Sequence, residues 1–315
     1  MFLISRPIFN LSLLCALIII SISSGLSAAS YSQDNTSFQI TFPPISDALA
    51  SDNSTLDAVS DVMDIQSKLI AENLEDKLKD GTSALELVTN NLTPMTIPPN
   101  ETLLKSTLKS FHGIPPNADE SKRKLAQDIL SKYNIFEYIG YAMPSGDVYF
   151  TEPYTPAQDN VPTPNFAYRE HFKGAIASKE PFLSNVIYSV SSGMPHVAIA
   201  VPVYSQNNSG SLIGVLVGGL NFTYFDQSIG SLNLTDHNHR IILADQNGTA
   251  IFDSLPDNND TSTLGYFAKL QSFKNALEGR SGSMSESFDG ADMLVSYQPV
   301  KSVQRTWVLM ILNPI

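Results

Sequence analysis

Phe166-Ala-Tyr-Arg-Glu-His-Phe-Lys-Gly-Ala-Ile176, Pro181-Phe-Leu-Ser-Asn-Val-Ile-Tyr188, Gly193-Met-Pro-His-Val-Ala-Ile-Ala-Val-Pro-Val203 and Gly214-Val-Leu-Val-Gly-Gly-Leu-Asn-Phe222 follow one another at hairpin spacing. The first block predicts a short helix over Tyr168 to Ala177, stopped by Glu180-Pro181. The other three predict strands, separated by turn residues at Ser192-Gly193 and Asn207-Asn-Ser-Gly210. A short helix near Phe222 to Ser228 closes the unit. An arginine among aromatic residues, leading into antiparallel apolar strands, describes the wall of a ligand pocket. No HExxH, GxSxG or paired-carboxylate signature accompanies it, so the reading is binding and not catalysis. Gly214 to Gly219 lacks the spacing and the Lys-Ser/Thr of a phosphate loop; glycines in a buried strand, allowing close approach of a ligand or helix, explain it.

Upstream, Leu49, Leu56, Val59, Val62 or Met63, Leu69 or Ile70, Leu74, Leu78, Leu85 and Val88 recur every three to four residues. This spacing predicts one long amphipathic helix from Ile45 to about Val88, with Asp52-Asn53-Ser54 and Gly81 as possible interruptions. A second helix is expected over Asp119 to Tyr133, capped by Asp119 or Ser121. Two strands follow, Ile135 to Ala142 and Val148 to Thr151, around the turn Pro144-Ser-Gly-Asp147. Glu152 to Pro164 holds four prolines and reads as a loop over the pocket.

Downstream the same grammar returns in shorter form. Arg240 to Asp245 and Thr249 to Phe252 flank the turn Gln246-Asn-Gly248. A helix near Tyr266 to Leu277 follows, then strands near Gly282 to Phe288, Met293 to Pro299 and Gln304 to Leu312. The expected fold class is α+β: two tandem modules of antiparallel strands with flanking helices, hung on one long N-terminal helix.

The blocks from Phe166 to Phe222 resemble the membrane-distal half of double Cache (dCache) domains, the PAS-like extracytoplasmic sensor modules of many receptors. Asp245-x-Asn-Gly248, Ala276-Leu-Glu-Gly-Arg-Ser-Gly282, Leu294-Val-Ser-Tyr-Gln-Pro-Val300 and Trp307 to Pro314 are similar to the membrane-proximal half. The resemblance covers about residues 45 to 314. It implies a membrane-distal module with the long helix over 45–232 and a membrane-proximal module over 233–315. It also implies that the helix pattern Arg-x-aromatic-aromatic, here Arg169, His171 and Phe172, faces a ligand. Arg169 suits a carboxylate, because a guanidinium donates two parallel charge-assisted hydrogen bonds. Asn221 stands where amino-acid-binding members carry an Asp for the ligand ammonium, so a ligand without an ammonium is favoured. Tyr149, Ser184 and Tyr188 are assigned to the same pocket by strand alternation.

Residues 1–29 carry Arg6, an apolar run from Leu13 to Ile20 and Ser27-Ala28-Ala29, the pattern of a signal peptide or an N-terminal membrane anchor. Residues 30–44 read as a polar tether. The one cysteine, Cys15, lies in the leader, which removes disulfides, cysteine nucleophiles and Cys-based zinc sites. A net charge of -12 with 19 Lys plus Arg disfavours nucleic acid and anionic headgroups as partners. Asp236-His237-Asn-His239 has two histidines on one face, but no other ligand cluster accompanies them; it reads as a polar turn, so no metal or cofactor is expected. Asn-x-Ser/Thr sequons start at Asn35, Asn53, Asn91, Asn100, Asn207, Asn221, Asn233, Asn247 and Asn259, which suggests a glycosylated exterior.

The expectation is an extracytoplasmic module that binds a carboxylate-bearing metabolite. The chain shows no output module after the last strand, so it is expected to signal through a separate membrane receptor or kinase, or to act as a binding protein. The long helix is a candidate homodimer seam. A glycosylated structural or adhesive surface protein is the alternative, and a secreted hydrolase ranks third.

Overall fold

The structure, a computed structural model, describes residues 30–34, 37–41, 53–91, 114, 117–154, 165–189, 193–205, 210–230, 239–255 and 264–315. Within the segment read as a tether, β1 (Ser30–Asp34) pairs antiparallel with β2 (Ser37–Thr41). Helix α1 (Asn53–Asn91) runs about 58 Å at 1.5 Å per residue. It passes through Gly81 without a break. A Cβ there would meet the Phe136 ring at 3.1 Å, so the glycine marks a close helix–sheet contact and not an interruption.

The first module comprises α2 (Glu120–Lys132), β3 (Phe136–Ala142), β4 (Val148–Glu152), α3 (Glu170–Ser178), β5 (Phe182–Leu183), β6 (Ile187–Tyr188), β7 (Pro195–His196), β8 (Ala198–Tyr204), β9 (Leu212–Leu220) and α4 (Phe222–Gly230). The second comprises β10 (Arg240–Ala244), β11 (Ala250–Asp253), a 3-10 turn (Tyr266–Lys269), α5 (Gln271–Leu277), β12 (Gly282–Phe288), β13 (Ala291–Ser302) and β14 (Arg305–Pro314). The distal sheet has the order β4-β3-β9-β8-β5 and the proximal sheet β11-β10-β14-β13-β12. Counted within each five-stranded sheet in chain order, both read second, first, fifth, fourth, third. The expected tandem repeat is therefore one topology used twice, with α3 and α5 in equivalent positions.

Strand alternation divides each sheet into two faces. One face of both sheets packs on α1: Val59, Met63, Ile70, Leu74, Leu78 and Leu85 join Ile139, Ile199, Leu216, Leu294, Leu309 and Trp307 in a single core. Trp307 meets Phe225 of α4 edge to face at 6.1 Å, fixing the first module's closing helix on the second module's last strand. Among the described residues of α1, Leu87 is the one large apolar side chain left exposed. Most of the apolar stripe is thus buried within the chain.

The opposite faces differ between modules, and this difference positions the site. Under α5 the proximal face is filled by Phe267, Phe273, Phe288, Tyr297, Met310 and Leu312. Under α3 the distal face presents Ala142, Ala198, Ala200, Val215 and Val217. Large rings close the proximal face; on the distal face small sheet residues form a floor under Phe172, with Tyr138, Phe166 and Phe182 packed around them.

Candidate ligand-binding site

The distal floor arises from small residues alternating with large ones. Along β8, Ala198 and Ala200 face α3 while Ile199 and Val201 face α1. Gly219 continues the floor into bare backbone. A Cβ at Gly219 would lie 1.9 Å from Cε1 of Tyr138, so the Tyr138 ring rests on the glycine. Gly218 instead admits Phe136 and Leu85 from the α1 side. The glycines thus serve ring and helix approach, one on each face. Gly219→Ala is expected to push Tyr138 off the floor and to destabilise the fold by about 1–3 kcal/mol through overpacking. A urea-denaturation midpoint unchanged in the variant would contradict that placement.

Three predicted residues lie at the start of helix α3, and one of them packs on this floor. Phe172, 4% exposed, packs on the alanines. His171, 2% exposed, meets Phe166 edge to face at 5.7 Å, and neither ring nitrogen has a hydrogen-bond partner among the described residues. Arg169, at the N-cap of α3, donates from Nη1 to the Tyr188 carbonyl at 2.9 Å, with its guanidinium carbon 5.0 Å from the centre of the Tyr168 ring. Glu170, next in sequence, accepts from both the backbone and side-chain amides of Asn185 at 3.0 and 2.9 Å.

Two further residues complete the group, and the sequence reading omits both. His196, on β7, places Nε2 3.4 Å from the Tyr138 hydroxyl, their rings edge to face. Burial, then the His196 ring, then the Arg169 charge push His171 down to about 3. Burial, then Arg169, push His196 down to about 4, with the Met194 backbone opposing. Burial and the Glu137 charge raise Tyr138 above the ordinary phenol range, and Arg169 opposes them. Near neutral pH the site therefore holds one fixed cation, two neutral imidazoles and one neutral phenol.

The other predicted site residues have different roles. Tyr149 lies on the α1 side. Tyr141 pairs with Phe150 and Ala142 with Val148, so Tyr149 is the extra residue of a β-bulge, and the alternation that would aim it at the floor fails. Its hydroxyl donates to Asp119 at 2.8 Å. Ser184 is fully buried, accepting from the Ala198 amide at 3.0 Å and donating to the Asn185 carbonyl at 2.7 Å, which straps β5 to β8. Tyr188 contributes its carbonyl while its ring is 46% exposed. Asn221 caps α4, its Oδ1 accepting from the Tyr224 amide at 3.3 Å. The proline-rich loop at 155–164 and the Asp236-His237 pair lie outside the described residues. Among the described residues no three His, Cys, Asp or Glu are grouped to hold a metal ion, and no helix is long and apolar enough to cross a membrane.

A family model described as Cache domain (dCache_1) matches residues 50–315. Among curated proteins no sequence matches. Several solved structures share the fold. The extracellular domain of the putative histidine kinase rpHK1S-Z16 is 15% identical with TM-score 0.62, covering 82% of this chain and 96% of its own. The ligand-binding domain of the Pseudomonas aeruginosa PAO1 amino acid chemoreceptor PctB, in complex with L-Gln, is 15% identical with TM-score 0.56, covering 81% and 90%. An extracellular ligand binding receptor from Desulfohalobium retbaense DSM5692 is 14% identical with TM-score 0.58; the match covers 80% of this chain and 40% of that one. With two sheets of one topology on a shared helix, and the family model matching from residue 50 to the end, the chain belongs to the double Cache family of sensor domains.

Proposed function

We propose that this protein is an extracytoplasmic sensor domain whose distal module binds a small carboxylate-bearing metabolite that lacks an ammonium group. The observation that carries the reading is His171. A neutral imidazole has one donor and one acceptor, and leaving such groups buried and unmet costs about 1–3 kcal/mol each. A polar ligand that reaches the His171 ring supplies what the described residues do not.

The ligand's charge follows from the surroundings. Arg169 acts on His171, His196 and Tyr138, so it is the cation the group shares, with the Glu137 charge acting on Tyr138 alone. Two carboxylates close to α3 are otherwise engaged: Glu170 by Asn185 and Arg305, Asp245 by backbone amides. Asn221, uncharged, caps a helix. An ammonium would enter beside the Arg169 cation, which disfavours it. A cation beside neutral hydrogen-bonding groups favours a 2-hydroxy or 2-oxo acid. Occupancy is then passed to a membrane-bound partner.

A thermal-shift panel tests this directly: L-lactate, pyruvate, L-malate and succinate against L-alanine, L-glutamine and GABA. The hydroxy and oxo acids are expected to raise the transition and the amino acids to leave it unmoved. Arg169→Ala is expected to weaken binding by roughly 10- to 100-fold, the loss of a charge-assisted pair. A preference for L-alanine over L-lactate, or no shift with any compound, would overturn the proposal.

A further inference from the structure

The segment Leu183 to Tyr188 is held from two sides. From α3, Arg169 donates to the Tyr188 carbonyl at 2.9 Å and Glu170 accepts from both amides of Asn185. From the proximal module, Arg305 donates from Nε to the Leu183 carbonyl at 3.2 Å, and Asp245 accepts from the Val186 amide at 2.9 Å. Arg305 also bonds Glu170 directly, closing the circuit. Beside it, Gln304 donates to Glu180, the residue that follows α3's C-cap, at 3.3 Å.

Two features show that these contacts shape the elements that make them. Asp245 divides its oxygens: Oδ1 accepts the Asn247 and Thr249 amides at 3.0 and 2.9 Å and builds its own turn, while Oδ2 is given to the other module. The β13–β14 turn, which carries Gln304 and Arg305 to α3, holds Val303 at φ 23 and Gln304 at φ 62. A β-branched residue in the left-handed region is unfavourable and persists only where its surroundings hold it. Val303 is packed against the core shared with α1, and the residues after it grip the distal module.

We infer that Asp245 and Arg305 of the proximal module are positioning residues for the distal ligand site, acting through Glu170 and the Leu183–Tyr188 segment. The inference rests on the reading that Arg169 and His171 hold the ligand. A carboxylate captured by Arg169 competes with the Tyr188 carbonyl for the same guanidinium. Release of that carbonyl loosens a segment whose other anchors lie in the proximal module. Thermodynamic linkage then requires the converse: the proximal anchors set how readily Arg169 is free to bind.

Hydrogen–deuterium exchange on the purified protein tests the coupling without any ligand. Asp245→Asn keeps an acceptor for the turn and removes the one facing Val186; Arg305→Lys keeps the charge and removes the fork. Both are expected to speed exchange in the first turn of α3 by roughly two- to tenfold. Arg169→Ala is expected to speed the Asn247 and Thr249 amides, which no local role of Arg169 would do. A second arm titrates L-lactate and L-malate into wild type, Asp245→Asn and Arg305→Lys, with an expected affinity loss of roughly 5- to 20-fold in the variants. If wild type binds neither acid, the ligand reading fails while the exchange arm still decides the coupling. Exchange that changes only within the mutated module, in both directions of the experiment, would overturn the inference.

Discussion

Acidification from pH 6.5 to 4.5 is expected to destabilise the protein by about 3–5 kcal/mol, most of it through His171 and His196. Both rings are pushed by burial to about 3 and about 4 in the folded state, against about 6.5 in the unfolded chain. A folded pKa below the unfolded one means the unfolded state takes up protons first. The stabilisation is therefore complete above pH 6.5 and is lost as pH falls toward the folded values, at up to roughly 1.4 kcal/mol per pH unit for each ring. Asp245 works in the opposite sense, because burial raises its carboxyl and the folded state takes its proton first. Asp119, held low by Lys122 and Tyr149 against its desolvation, shares the sign of the histidines but contributes only near its unfolded value of 3.8. The two histidines thus dominate the higher window. Urea titrations at pH 7, 5.5 and 4.5 check this, with the double variant His171→Phe and His196→Phe as the control that removes both titrating groups. Equal pH dependence in wild type and double variant would show that the rings are not buried as described. The same sign bears on ligand capture. A carboxylate between Arg169 and the imidazoles favours the imidazolium, so affinity for an organic acid should rise as pH falls through the range where the fold still holds.

Much of this architecture was legible in the chain because its determinants are local or periodic. The three- to four-residue spacing from Leu56 to Val88 marks α1, and the turn residues Gln246 to Gly248 mark a hairpin that the structure contains. The β13–β14 hairpin has no such signal, since Val303-Gln304 is an unusual choice for a turn with positive φ at both positions. The candidate site was legible only along α3. Tyr149 is misassigned by alternation because a bulge resets the face, and a bulge depends on the partner strand. Asn221 directly precedes a helix, and Asn before a helix is more often a cap than a ligand contact. Tyr138 and His196 leave no motif, yet one signal was available. Ala198 and Ala200 alternating with Ile199 and Val201 describe a strand with one small-residue face, and a residue beside such a face is a candidate for lining it.

Replacing Arg123 by Met is expected to destabilise the protein by about 3–5 kcal/mol, the loss that follows when one partner of a buried ion pair is removed. Arg123 is 3% exposed and Glu152 is 6% exposed, and their side chains are in direct contact. The guanidinium also donates to the carbonyls of Ala118, Ile114 and Thr151 at 3.0, 2.9 and 3.3 Å, and its carbon lies 5.5 Å from the centre of the Phe150 ring. One side chain thus joins α2, the strand β4 and the segment that precedes α2. Without it, among the described residues Glu152 retains Gln127, at 3.1 Å, and loses its paired cation. Glu152 is also the last residue of β4, the point at which the chain leaves the distal sheet for the proline-rich segment. The expected result is therefore both a lower urea midpoint and faster proteolysis after β4. The double variant Arg123→Met and Glu152→Leu separates two causes. If the uncompensated charge dominates, the second substitution restores much of the lost stability, because an apolar pair needs no hydrogen bonds. If the carbonyl contacts of Arg123 dominate, the double variant stays as unstable as the single one, and the guanidinium acts chiefly as a backbone clasp. A loss under about 1 kcal/mol in the single variant would place the pair at the solvated surface and remove it from the account of how β4 is held.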